Sequence, residues 1–282
     1  MYNLVVREFL DMKECRFYTS PIKTDEDRIK PRKKRSARMH GSEYKRLAIV
    51  CEHPFTGEPL IEFVEDLPRK TSSVYSSYRR TKNIIFDLCM SNRWEFFLTF
   101  TFRKECVDRY SFDDCSKKMK FWLNNVKKNF SPNLKYVIVP EQHKDGAWHF
   151  HGVFADFGNL TFVDSGRIDR KGRIVYNLYE YKFGFTTATK VSDNLATCLY
   201  VQKYITKDMC NILMNKKRYW CSRNLDRPKV SKRMVRMELD EIVDSIDAPY
   251  EKYVVQGDFY DIHRFSIYTT NTMRFLTNEA GD

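Results

Sequence analysis

The chain has 282 residues, 42% hydrophobic and 30% charged, which is ordinary for a globular protein with a buried core. Its formal net charge of +12 points to a polyanionic partner, nucleic acid or an acidic membrane surface. No apolar stretch reaches the ~20 residues of a bilayer-spanning helix, and none of the eight cysteines forms a Cys-x-x-Cys pair, so a helical membrane protein and a cysteine-zinc module are both disfavoured.

Met1 to Leu10 carries Arg7 and Glu8 and no long apolar run, so no secretion signal is expected and a reducing, cytoplasmic setting is. Residues 1–74 read as a basic, partly irregular region. Its densest patch is Lys30-Pro-Arg-Lys-Lys-Arg35, continuing through Arg38, Lys45 and Arg46. Such a run is either a solvated arm or a DNA grip, and Lys33, Lys34 and Arg35 are the DNA-binding candidates in it. Leu47 to Val50 and Leu60 to Val64 are short strand candidates with a turn near Pro54 to Pro59.

A helical pattern then runs from Ser73 to Ser91. Glu95 to Phe102 is aromatic and β-branched, a strand signal. Ser111 followed by two aspartates predicts an N-cap and a helix to about Phe130, with Met119, Trp122, Leu123 and Val126 at helical spacing. Leu134 to Glu141 and Trp148 to Ala155 read as strands, as does Arg173 to Thr186. Leu195 to Cys210 reads as a helix, Arg218 to Ser222 as a short strand and Met237 to Ile246 as a last helix. Ten acidic and three basic residues lie from Met237 onward, leaving about +19 on the first 236. The expected organisation is a basic region over 1–74, a catalytic domain over 75–235 and an acidic extension over 236–282. The expected fold class is α+β, a central antiparallel β-sheet flanked by helices.

The segment Pro140 to Gly152 is the most informative. His149 and His151 stand two apart in a strand, so both imidazoles emerge on one face. Lys144-Asp-Gly146 suits a three-residue hairpin loop with Gly146 in the left-handed position. Centring the hairpin on Asp145 sets Glu141 opposite His149, on the same face. Glu141, His149 and His151 are therefore the candidate metal ligands, with His143 a further ligand or a supporting partner. The alternative is a pair of histidines on a solvated strand.

Tyr200 and Tyr204 stand one helical turn apart, with Lys203 and Lys207 near the same side. Leu195, Cys198, Val201, Ile205 and Met209 collect on the opposite, apolar side. These tyrosines are either interfacial packing residues or nucleophiles. A phenol near pKa ~10 is a poor nucleophile at neutral pH, and adjacent ammonium groups and a cation favour the phenolate.

Three motifs in order resemble the HUH endonuclease superfamily, in particular rolling-circle replication initiators of phages and small plasmids. Phe96-Phe-Leu-Thr-Phe-Thr101 resembles its first motif, His149-Phe-His151 its metal motif, and Tyr200-x-x-Lys203-Tyr204-x-x-Lys207 its two-tyrosine motif. The Glu141-to-His151 spacing resembles the hairpin of single-tyrosine viral initiators. The resemblance implies an RRM-like sheet, Mg²⁺ or Mn²⁺, and single-stranded or hairpin origin DNA. It also implies DNA nicking and joining through a 5′-phosphotyrosine, with Tyr204 the primary nucleophile, Tyr200 the second and Lys207 assisting. No Gly-Lys-Ser/Thr phosphate loop is present, so helicase and polymerase are expected from the host. Alternatives are a single-strand transposase with the same chemistry and a non-catalytic DNA-binding regulator with the same fold.

Overall fold

The structure, a computed structural model, describes residues 1–24, 47–52, 59–64, 69–206, 209, 212–213, 216–236, 241, 250–255 and 262–268. The basic run with Lys33, Lys34 and Arg35, the turn at 53–58, Lys207 and all but one residue of the expected last helix lie outside them. In chain order the elements are β1 (Tyr2–Glu8), β2 (Met12–Ile22), β3 (Leu47–Glu52), β4 (Pro59–Val64), α1 (Arg69–Met90), β5 (Phe96–Phe102) and α2 (Phe112–Asn129). There follow β6 (Lys135–Gln142), β7 (Trp148–Ala155), β8 (Phe162–Ile168), β9 (Ile174–Leu178), β10 (Gly184–Lys190) and α3 (Asn194–Lys203). Last come β11 (Trp220–Cys221), β12 (Lys229–Arg233), β13 (Tyr250–Val255) and β14 (Ile262–Tyr268).

These elements form two compact units. One is Arg69–Arg227; the other joins Met1–Pro68 to Pro228–Asp282. Each is built on a seven-stranded sheet whose described strand pairs are antiparallel, so the fold is α+β with a central antiparallel sheet.

In the unit of the two chain ends the strand order is β12-β1-β2-β14-β13-β3-β4. The sequence shows no clear pattern over β1 and β2. Part of the reason is Glu14, which is buried mid-strand beside Arg16 at 2.5 Å and Arg7 at 3.6 Å. A paired carboxylate at an inward position breaks the apolar alternation by which a strand is recognised.

In the unit 69–227 the order is β11-β6-β7-β5-β10-β9-β8. One face carries Leu98, Phe100, Phe102, Phe150 and Phe154, all at most 2% exposed, and α2 packs on it through Trp122, 5.0 Å from Phe100 between ring centroids. Ser111 caps α2 by accepting a hydrogen bond from the backbone N–H of Asp114, and Asp113 and Asp114 occupy its first turn. The opposite face meets α1 and α3. It carries the odd-numbered residues of β5 and β7, so the inward run of one face and the chemistry of the other come from the same two strands. The segment read as one strand from Arg173 to Thr186 is two, β9 and β10, separated by Tyr179–Phe183.

A candidate metal centre facing two tyrosines

The β6–β7 hairpin pairs Glu141 with His149 and Val139 with His151, the register its loop length requires. Gly146 holds φ +87°, where an L side chain would be strained, and its N–H donates to the carbonyl of His143 at 2.8 Å. Glu141 Oε2 reaches diagonally to His151, accepting from Nε2 at 2.7 Å, and lies 3.4 Å from His143 Nε2. Donor atoms of Glu141, His143 and His151 lie within 4.8 Å of one another. His149 stands beside this group, its ring stacked on that of His143 at 3.6 Å. The tightest donor cluster thus contains His143, which sequence spacing ranked below His149. The reason is local: His143 sits at the end of β6, beside the three-residue loop, and its imidazole lies over its neighbour across the hairpin.

Both strand imidazoles are anchored from behind. On β5, Thr99 is in register with His151 and Thr101 with His149. Their hydroxyls hydrogen-bond the Nδ1 atoms at 3.0 and 3.2 Å. Each Nδ1 is thereby engaged on the β5 side, leaving Nε2 as the outward atom. These threonines were legible only as part of a hydrophobic strand. The T-x-T spacing matches H-x-H, but only adjacency of β5 and β7 gives that match a meaning.

The electrostatics suit a cation. Burial first, then repulsion from His143 and His151, brings the His149 pKa down to about 4. Burial likewise lowers that of His151 against the opposing pull of Glu141. Partial burial works against ionisation of Glu141, but the hydrogen bond from His151 and the surrounding imidazoles outweigh it, and its pKa is lowered. Near neutral pH the cluster therefore offers neutral imidazole nitrogens and a carboxylate, the protonation states that ligate a divalent ion. The donor set fits such an ion.

Helix α3 delivers the tyrosines. Asp193 caps it by accepting from the backbone N–H of Ala196, and Leu195, Cys198 and Val201 bury one side. The helix ends at Lys203, so Tyr204 is its C-cap rather than an interior residue, and the helix is shorter than the expected Leu195–Cys210. Tyr204 lies flat on His151, ring centroids 3.9 Å apart and planes within 5°. It also stacks on Phe97 at 6.4 Å. Only 8% exposed, Tyr204 differs from the polar-stripe position that helical spacing predicts, because the sheet face itself covers it. Tyr200 is 43% exposed, and its hydroxyl accepts a hydrogen bond from Tyr204 at 3.0 Å. The Lys203 ammonium stands 3.7 Å from the Tyr200 ring centroid and 5.0 Å from that of Tyr204. Partial burial opposes ionisation of Tyr200, yet the hydrogen bonds of Lys203 and Tyr204 outweigh it and lower its pKa. Burial, then the bond given to Tyr200, raises that of Tyr204. Of the pair, Tyr200 is the readier phenolate.

With Glu141, His143, His149, His151, Tyr200, Lys203 and Tyr204 on one sheet face, the chain can be set beside known proteins. Residues 95–209 match the model of a replication-associated protein family, the ORF2 type. That span holds every one of these residues and supports a role in DNA replication, with DNA as the partner. Comparison with curated proteins and with solved structures gave no match. Among the described residues no helix is long and apolar enough to cross a membrane.

Proposed function

We propose that this chain initiates rolling-circle replication by nicking and rejoining single-stranded or hairpin origin DNA through a tyrosine nucleophile. The carrying observation is the flat contact of Tyr204 on His151, with Tyr200 hydrogen-bonded to it. It sets two phenols against a carboxylate–imidazole cluster on a positively charged chain.

Glu141, His143, His149 and His151 would hold Mg²⁺ or Mn²⁺, which supplies Lewis-acid polarisation of the scissile phosphate and orients it for in-line attack. The chain's own residues do the rest. Lys203 and the Tyr204 hydroxyl stabilise negative charge on the Tyr200 oxygen. A phenolate oxygen attacks the phosphorus, the bond from phosphorus to the 3′ oxygen breaks, and that oxygen leaves as a free hydroxyl once protonated. The chain keeps a 5′-phosphotyrosine. One phosphodiester replaces another of similar energy, so the reverse attack by a 3′ hydroxyl rejoins the strand. Two tyrosines within hydrogen-bond reach allow one to hold the first strand while the other attacks again. Sequence spacing favours Tyr204 as the first nucleophile. Exposure and the Lys203 contact favour Tyr200, and Tyr204 then acts second or as its proton partner. Lys207 remains a candidate for neutralising phosphate charge. Unwinding and synthesis would fall to a host helicase and polymerase.

The test is incubation with end-labelled single-stranded origin DNA, with and without Mn²⁺, followed by denaturing protein electrophoresis. A labelled protein band is expected only with metal, and its loss in the Tyr200→Phe/Tyr204→Phe double variant. The single variants identify the first attacker. DNA binding with no covalent band on cognate origin DNA would leave a DNA-binding regulator.

A further inference from the structure

The face that carries the metal cluster extends beyond it onto an aromatic that no part of the nicking chemistry uses. Across the sheet, Phe185 on β10 is in register with Thr101 on β5, Thr101 with His149 on β7, and His149 with Glu141 on β6. Directly opposed residues share a face, so these four side chains form one row. Phe185 stands two strand spacings from His149, about 10 Å. Its neighbours Gly184 and Thr186 turn into the buried side, whereas Phe185 itself is 62% exposed. A phenylalanine in mid-strand with the other strand face buried would ordinarily be threonine or a charged residue on the wet side. Here Thr187, two residues on and on the same face, is exposed as expected, and Phe185 is the exception. The Arg103 guanidinium, also exposed, lies 4.9 Å from the Phe185 ring centroid.

An exposed ring with a guanidinium beside it, set on a flat sheet face, is what a single-stranded nucleic acid uses: a base stacks on the ring and the cation takes the neighbouring phosphate. We propose that Phe185 and Arg103 form a base-stacking position for single-stranded DNA, flanking the metal cluster along the same row. The identity of the strand as DNA rests on the function proposed above. Continuity with the cluster, rather than exposure alone, selects this occupant. The position places a nucleotide of the substrate strand on β10 while its neighbouring phosphate lies toward β7. It holds the strand in the direction that brings a phosphodiester to Tyr200 and Tyr204.

The experiment measures anisotropy of fluorescein-labelled oligothymidylate against the full chain in metal-free buffer. Phe185→Ala is expected to weaken binding roughly 5- to 150-fold, the effect of one lost base stack. Phe185→Trp is expected to keep the affinity, and its indole emission should be quenched as the oligonucleotide binds. Phe121→Ala, an equally exposed phenylalanine on α2, 64% exposed, serves as control and should leave binding unchanged. Unchanged affinity in Phe185→Ala, no binding by the parent chain, or an equal loss in Phe121→Ala each overturns the proposal. A change of oligomeric state in Phe185→Ala with DNA affinity intact overturns it in favour of a second copy on this face. Phosphotyrosine formation is not read in this assay. A failed nicking reaction therefore leaves the stacking result standing, and unchanged affinity beside an intact covalent adduct removes the stacking position alone.

Discussion

The hydroxyls of Thr99 and Thr101 meet His151 and His149 at Nδ1, the ring nitrogen that in His151 faces away from Glu141. A hydroxyl both donates and accepts, so it can partner Nδ1 in either tautomer. In the metal-free chain His151 Nε2–H donates to Glu141, and Thr99 donates to Nδ1. With Nε2 given to an ion, the proton sits on Nδ1 and the same hydroxyl accepts it. Thr99→Val removes this partner while keeping the shape, and metal affinity by calorimetry is expected to fall about 10- to 100-fold. Thr99→Ser should restore it. Equal affinity in the valine variant would show that the hydroxyl does no more than fill space. The same residues set a pH response. His149 and His151 have lowered pKa values in the folded chain, so the unfolded chain binds more protons at mildly acidic pH. Stability of the metal-free protein should therefore fall as pH drops below the ordinary histidine value near ~6.5, and for His149 the loss continues to about 4. Glu141, with its lowered pKa, adds in the same direction as it protonates. Urea titration across this range checks the slope, and His149→Gln should flatten it.

At the scale of elements, the site depends on three neighbouring strands lying close. Gly152 follows the metal histidines on β7, and a Cβ there would stand 2.5 Å from the carbonyl oxygen of Val137 and 3.0 Å from Ile138 Cγ1. The contact is with backbone on β6, which carries Glu141 a few residues on and has no room to move without breaking the β6–β7 ladder. Gly152→Ala is expected to cost about 1–3 kcal/mol in denaturant titration, as overpacking does. It should weaken metal binding as well, because Glu141 and His151 ride on the two displaced strands. Loss of stability with metal affinity unchanged would place the strain elsewhere. Helix α3 is the other element that matters. Its short span ends at Tyr204, which lets the second tyrosine fold down onto His151 while Tyr200 stays in the wet layer.

For the whole molecule, charge is the long-range term. The first 236 residues carry about +19 against −7 on the remainder, and the densest basic run is Lys30 to Arg46. A chain that neutralises phosphates releases counterions, so its DNA affinity falls with salt in proportion to the contacts made. Deleting residues 30–46 is expected to weaken binding at low salt and to flatten the slope of log affinity against log salt. An unchanged slope would remove this run from the DNA contacts. Every residue of the metal and tyrosine constellation described here lies in the unit Arg69–Arg227.

What the sequence determined by itself was local. Period-two and period-3.6 patterns located β5, α2, β6, β7 and α3, the Ser111 cap, and the hairpin whose loop length sets Glu141 opposite His149. Side-chain direction within one strand or one hairpin follows from backbone geometry, so that much is readable along the chain. The tertiary structure decided what depends on non-local neighbours. It brought Thr99 and Thr101 behind the histidines, folded Tyr204 onto His151, drew His143 into the donor cluster and left Phe185 bare on the metal face. It also paired β2 with β14, from opposite ends of the chain, in a second sheet. Strand order is a choice among pairings far apart in sequence, set by which faces bury together, and no local pattern encodes it.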